Sequence, residues 1–160
     1  MFTMTRTVHG VDQRHNRPDP PLIGALLRRP FLAARDRIVQ RLHAEGYADL
    51  QAAHLAVFQH PGPHGLSPGE IARRAGATKQ AMSNLLSQLE RSGYVRRAPD
   101  PDNGRQRIVE LTERGRAATG IIRSAVNDLE SEWRENLGDT DYRRMRSLLE
   151  RLNDVVNNSA

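Results

Sequence analysis

Between Leu66 and Gly115 the chain carries two helix start signals on either side of one glycine, followed by a second glycine and a turn made of Pro, Asp, Asn and Gly. Ser67 is a good N-cap, Pro68 suits the first helical position, and Glu70 stands three residues after the cap. With Ile71, Ala72 and Ala75 as a buried stripe, these residues predict a helix of about two turns ending at Gly76. Thr78 offers a new N-cap, and Lys79 to Arg91 contains neither Gly nor Pro, so a longer helix starts after a tight turn. Two helices joined this closely have few ways to pack, and the second must bury one face and present the other.

Met82, Leu85, Leu86 and Leu89 recur at helical spacing and are expected to point inward. Gln80, Ser83, Asn84 and Ser87 then form the opposite face, which is polar but uncharged. A solvated helix usually carries Glu and Lys pairs on such a face. Amides and hydroxyls instead suit the edges of bases in a major groove, where they donate and accept hydrogen bonds. After Ser92-Gly93, the run Tyr94 to Arg97 reads as a strand, Pro99 to Gly104 as a turn, and Ile108 to Leu111 as the return strand. Arg105 and Arg107 lie just past the turn, placed to enter a minor groove or to meet phosphates. Thr112 caps the next helix, with Glu113 in its first turn. Helix, turn, helix and Arg-tipped hairpin in this order outline a winged helix-turn-helix.

The segment resembles the MarR family of bacterial transcriptional regulators. The resemblance lies in Leu89-Glu90-Arg91-Ser92-Gly93-Tyr94-Val95-Arg96-Arg97, in Asp100-Pro101-Asp102-Asn103-Gly104-Arg105-Gln106-Arg107, and in Leu111-Thr112-Glu113-Arg114-Gly115. It implies recognition-helix contacts to DNA from Lys79, Gln80, Ser83 and Asn84, with a wing contact from Arg105 and Arg107 nearby. Asn103 departs from the family, which often has Asp two residues before the wing Arg. Asn can still accept a hydrogen bond from Arg105, without charge assistance.

Around this unit, Met1 to Pro21 has few apolar residues and ends in Pro18-Asp19-Pro20-Pro21, so residues 1–21 are expected to form a flexible arm. From Leu22 a helical pattern runs to Gly46, and Pro30 either starts its main helix or kinks a longer one. Asp49 is expected to cap a helix from Leu50 to Gln59, ended by Pro61-Gly62-Pro63, with His64 to Leu66 as a link or short strand. Arg114 to Leu137 spans six turns with Ala118, Ile121, Ile122, Ala125, Leu129 and Trp133 near one face. Gly138 breaks it, and Asp139 or Thr140 caps a last helix with Tyr142, Met145, Leu148, Leu149, Leu152, Val155 and Val156 at heptad-like intervals. So much apolar stripe outside the winged unit suits a two-fold subunit interface, which the family resemblance also implies. The expected fold is mainly α with a small β-hairpin wing. Residues 22–160 form one domain, in which 48–113 are the DNA-binding lobe and 22–46 and 114–157 the dimerisation helices.

The net charge of +5 favours polyanions. It leans toward the winged segment: Leu66 to Gly115 has nine Lys/Arg against six Asp/Glu, whereas Arg116 to Ala160 has seven against eight. Without Cys, disulfides, thiol redox switching and Cys-based zinc sites are excluded. No membrane-spanning run or signal-peptide core is evident, so a cytoplasmic protein is expected. No catalytic residue, cofactor or metal site is expected. His54, His60 and His64 fall in different registers, and His60-Pro61-Gly62-Pro63-His64 cannot form a helical i, i+4 pair. Ser67 lacks a nucleophile-elbow context, and Glu130, Glu132 and Glu135 suit a solvated helix face. The resulting expectation is a homodimeric, sequence-specific repressor of double-stranded DNA reading an inverted repeat. The resemblance implies release by a small aromatic or phenolic ligand, for which Arg35, His54, Phe58 and Trp133 are the candidate lining residues. The alternative is a winged helix serving protein interaction or sequence-neutral DNA coating, but large apolar residues or added cations would then occupy the positions of Gln80, Ser83 and Asn84.

Overall fold

A computed structural model of the protein describes residues 21–59, 65–104 and 106–158. Nearly all of the expected N-terminal arm, together with His60, His64 and Arg105, lies outside the described residues. Helix α1 spans Ile23–Ala44 and contains Pro30 in its interior rather than at its start. The backbone bond that Pro30 cannot make falls in a turn where residues 26–30 are all exposed, so water can satisfy the carbonyl left over. Farther along, Ile38 and Leu42 turn into the core.

The connection after α1 differs from the capped helix expected at Leu50 to Gln59. Only a 3-10 turn at Ala52–His54 and the short α2, Leu55–Phe58, are helical. Asp49 does not cap, because its carboxylate accepts hydrogen bonds from Tyr94 and Arg114. Helix α3, Pro68–Arg74, starts where Ser67 accepts from the Glu70 amide, and α4, Lys79–Arg91, starts where Thr78 accepts from the Ala81 amide. Gly76 turns the chain between them at φ +60, a left-handed value that favours glycine. Met82, Leu86 and Leu89 are buried as expected, while Leu85 is half-buried at the edge of the core.

Strands β1, Val95–Pro99, and β2, Arg107–Leu111, pair antiparallel from Val95 opposite Leu111 to Pro99 opposite Arg107. They extend two residues and one residue closer to the tip than the sequence patterns suggest. Leu66 adds a one-residue third strand by exchanging backbone hydrogen bonds with Val109, which anchors the wing to the start of the helix-turn-helix. Thr112 caps α5, Glu113–Leu137, by accepting from the Gly115 amide. Gly138, at φ +79, separates α5 from α6, Asp139–Asn158, so α6 begins at Asp139 itself and neither Asp139 nor Thr140 is its cap.

The core sits where the second half of α1, the 50–58 segment, α3, α4, the wing and the first half of α5 meet. Beyond it, α5 and α6 form a hairpin. Arg146 grips Glu130 through bonds of 2.9 and 3.0 Å, and the Arg134 guanidinium lies 5.1 Å from the centre of the buried Tyr142 ring. Among the described residues, no helix is long and apolar enough to cross a membrane.

Candidate DNA interface and adjoining cleft

Helix α4 presents Lys79, Gln80, Ser83 and Asn84 as exposed side chains, with Ser87 half-buried at the far end of the same face. The Gln80 side-chain amide donates to the Asn84 carbonyl oxygen at 3.2 Å. That bond pre-orders the exposed pair while using neither the Asn84 amide donor nor the Gln80 carbonyl acceptor. Arg97 on β1 donates to the Ser87 hydroxyl at 3.3 Å and pairs with Glu90, so the wing is fastened to the C-terminal half of the helix it accompanies. Arg107 is exposed at the start of β2. The hairpin tip is closed by the Asp102 amide donating to the Asp100 carboxylate and by the Gln106 amide donating to the Asn103 carbonyl.

Behind α4 the scaffold is braced by a cluster that spacing alone could not reveal. The Tyr94 hydroxyl donates to Asp49 at 2.6 Å and accepts from Arg114 at 2.9 Å, while the Arg114 guanidinium lies 4.5 Å from the Tyr94 ring centre. Burial and the bond to Asp49 push the Tyr94 phenol up. Burial would also raise the Asp49 carboxyl, but the Tyr94 hydrogen bond, aided by Arg114, holds it below its ordinary value. The cluster therefore stays a carboxylate, a neutral phenol and a cation near neutral pH, tying the loop after α1 to the wing and to α5.

Glu70 holds both Arg73 and Arg74, the shortest bonds being 2.7 Å to each, rather than reaching back to complete the capping box. These hydrogen bonds pull its carboxyl down to about 2. A depressed carboxylate pKa means that the arrangement is fully present above the ordinary carboxylate range and is lost as pH falls through the folded value. A carboxyl-detected NMR titration should accordingly place the Glu70 midpoint near about 2. A midpoint in the usual range near 4 would show that the two arginines do not hold it.

A cleft of about 460 Å³ lies between α1, the 52–59 segment, α3 and α5, within the size range of small-molecule sites. Phe31, Ile38, Leu55 and Trp133 line it with Arg35 and Arg74. Of the four residues expected to line a ligand site, Arg35 and Trp133 lie along this cleft. His54 and Phe58 face the core: Phe58 packs edge-on against Tyr94 at 6.0 Å, and His54 is hydrogen-bonded on both ring nitrogens. Arg74 was hidden from the sequence reading because only the packing of α3 brings it to the cleft.

A sequence profile of the MarR family matches residues 54–106. The HTH-type transcriptional repressor Rv2887 of Mycobacterium tuberculosis is 35% identical over 135 residues, covering 84% of this chain and 94% of its own length. Its crystal structure with salicylic acid describes it as a MarR-family protein, and superimposes with a TM-score of 0.60 at 30% identity over 84% of this chain and 98% of that one. This chain belongs to the MarR family. A crystal structure of MarR is 26% identical, with a TM-score of 0.73 over 91% of this chain and 97% of that chain. The transcriptional activatory protein BadR of Rhodopseudomonas palustris is 29% identical over 73% of this chain, which spans 66% of BadR's length. MarR-family proteins are DNA-binding transcriptional regulators, and the winged helix-turn-helix of this chain is the corresponding element. In a MarR-type protein the Leu-Thr-x-x-Gly motif acquires a structural meaning: Thr112 caps α5 and also donates to the Gly93 carbonyl, closing the base of the wing.

Proposed function

We propose that this MarR-family protein is a homodimeric repressor that reads an inverted repeat in double-stranded DNA and leaves it when a small anionic aromatic molecule enters the cleft. The observation that carries the DNA reading is the exposed, uncharged α4 face of Gln80, Ser83 and Asn84 beside the basic wing. In this reading Gln80 and Asn84 meet base edges, Ser83 and Ser87 line the groove, and Lys79 takes a phosphate or base. Arg107 and Arg105 supply the wing cations. Residues 48–113 act as the DNA lobe, and 22–46 with 114–157 hold two lobes together.

The second copy is supported by apolar side chains that one protomer leaves in water. Leu22, just before α1, and Ile23, Leu26 and Phe31 on it are 51–82% exposed, and Leu148, Leu149, Leu152 and Val156 on α6 are 38–59% exposed. A soluble monomer rarely leaves such a surface uncovered. Two-fold pairing would cover it and would set two α4 helices about one DNA turn apart. The cleft joins an apolar wall that includes Trp133 and Phe31 to Arg35 and Arg74, which hold Asp36 and Glu70 and would share their guanidinium groups with an aromatic carboxylate, while the Glu130 carboxylate beside them is neutralised by Arg146. Salicylic acid, found with Rv2887, has that chemistry. Ligand binding releases DNA if it favours a dimer geometry whose half-site spacing does not match the operator. The protein thus acts by binding rather than catalysis, in the cytoplasm where its DNA lies.

Selection of bound duplexes from random DNA tests the reading, with an inverted repeat expected; recovery of no shared sequence would overturn it. On the selected duplex, Gln80→Ala and Asn84→Ala should each lose about 1–3 kcal/mol of discrimination against the substituted base pair at one position. Equal weakening on every sequence would assign these amides to the backbone instead.

A further inference from the structure

Asn103-Gly104 is the single Asn-Gly pair in the sequence, and both residues are exposed at the tip of the wing. The Gln106 amide donates to the Asn103 carbonyl at 2.8 Å, the bond of a four-residue turn. Such a turn engages its last amide and leaves the Gly104 nitrogen outside its hydrogen bond. Neither packing nor backbone conformation calls for glycine at this place: Gly104 has no positive φ, and a Cβ on it would meet nothing within 4 Å beyond its chain neighbours. What glycine does supply is a nitrogen that no side chain shields. That nitrogen follows the Asn103 side-chain amide directly in the chain, and a bond from it to Asn103 Cγ closes a five-membered ring. Asn84, Asn127, Asn136 and Asn153, by contrast, lie inside α4, α5 and α6, where the following amide is held in a helical hydrogen bond and the following residue carries a side chain.

We infer that Asn103 is a site of spontaneous deamidation, and that the isoaspartate it yields unlocks the wing tip and weakens DNA binding as the protein ages. The inference rests on the DNA-reading role proposed for the wing. In the first step the Gly104 nitrogen gives its proton to solvent and bonds to Asn103 Cγ, the Cγ–Nδ2 bond breaks, and ammonia leaves. Water then opens the cyclic imide at one of its two carbonyls. Opening at Cγ gives aspartate, whereas opening at the backbone carbonyl gives isoaspartate, whose main chain runs through Cβ and Cγ and is one atom longer. That atom falls inside the network that closes the tip. Gln106 is held on both sides, its amide by the Asn103 carbonyl and its carbonyl by the Asp100 amide at 3.0 Å, and Arg107 follows it at the start of β2. Lengthening the chain between residues 103 and 104 breaks this closure and moves the wing cation off its place on the duplex.

The full-length protein, aged in mildly alkaline buffer at body temperature and then digested, should show the exchange of an amide NH2 for OH in the peptide containing residue 103, and not in those containing Asn84 or Asn127. An isoaspartyl methyltransferase should methylate the same peptide. Affinity of the isoaspartate fraction for the selected duplex should be about tenfold weaker than that of fresh protein, the scale of one lost charge-assisted contact. Repair by the methyltransferase and its methyl donor, which returns the chain to an ordinary aspartate backbone, should bring affinity to the level of Asn103→Asp. That variant carries the same charge as isoaspartate, so the comparison isolates the added atom. Gly104→Ala, which the turn accommodates, should keep both its amide and its affinity through ageing. An Asn103 amide that survives as long as it does in Gly104→Ala, or an affinity that holds while isoaspartate accumulates, would overturn the inference. If fresh protein binds no duplex, the DNA reading fails and takes the effect on binding with it, while the mass at residue 103 still decides the modification.

Discussion

Gly115→Ala is expected to destabilise the protein by about 3 kcal/mol, at the upper end of ordinary overpacking. A Cβ on Gly115 would lie 2.1 Å from the Tyr94 carbonyl oxygen and 3.2 Å from a Leu111 methyl. The first neighbour is backbone and cannot swing aside, and its oxygen already accepts from the Thr112 amide and hydroxyl. Relief therefore requires α5 to move away from the base of the wing. That movement would strain the Tyr94 bonds to Asp49 and Arg114 and would displace β1 relative to α4. Chemical denaturation followed by helical signal measures the effect, and a loss below about 0.5 kcal/mol would mean that the joint is looser than its geometry indicates. DNA affinity should fall even under conditions where the variant stays folded, because the wing and recognition helix would no longer share one frame.

The double substitution Leu148→Asp with Leu152→Asp should convert a dimer to a monomer and reduce operator affinity by at least about a hundredfold. Both side chains are exposed in one protomer, at 51% and 43%, so neither charge disturbs the internal core. In a two-fold interface the same changes bury carboxylates from both copies without partners, which association cannot compensate. Loss of the second half-site then removes the avidity that linked binding supplies, commonly a factor of about 10² to 10⁴. Sedimentation and circular dichroism separate the two effects: the mass should halve while helical signal persists. A dimer that survives both charges would place the interface elsewhere.

Local chemistry made much of the winged unit legible. Ser67, Thr78 and Thr112 cap the helices they precede, since a side-chain oxygen satisfies amides within a few residues and needs no tertiary partner. The buried Met82, Leu86 and Leu89 follow from helical periodicity for the same reason. Asp49 was misread because it also has the chemistry of a cap. Its stronger partners, Tyr94 and Arg114, lie 45 and 65 residues away. Likewise, the one-residue strand at Leu66 exists through its pairing with Val109, which no nearby residue announces.

By itself, then, the sequence determined where α3, α4 and α5 begin, which face of α4 turns outward, and that the outward face is uncharged. These properties depend on side-chain capping and a 3.6-residue period, both encoded within a few consecutive residues. Only the tertiary structure decided that Arg74 joins Arg35 and Trp133 at one cleft, that Arg97 fastens the wing to α4, and that His54 turns away from the cleft toward Gln88. Each of those outcomes depends on how separate elements rotate as they pack. That rotation is set by the whole core, not by any local stretch of chain.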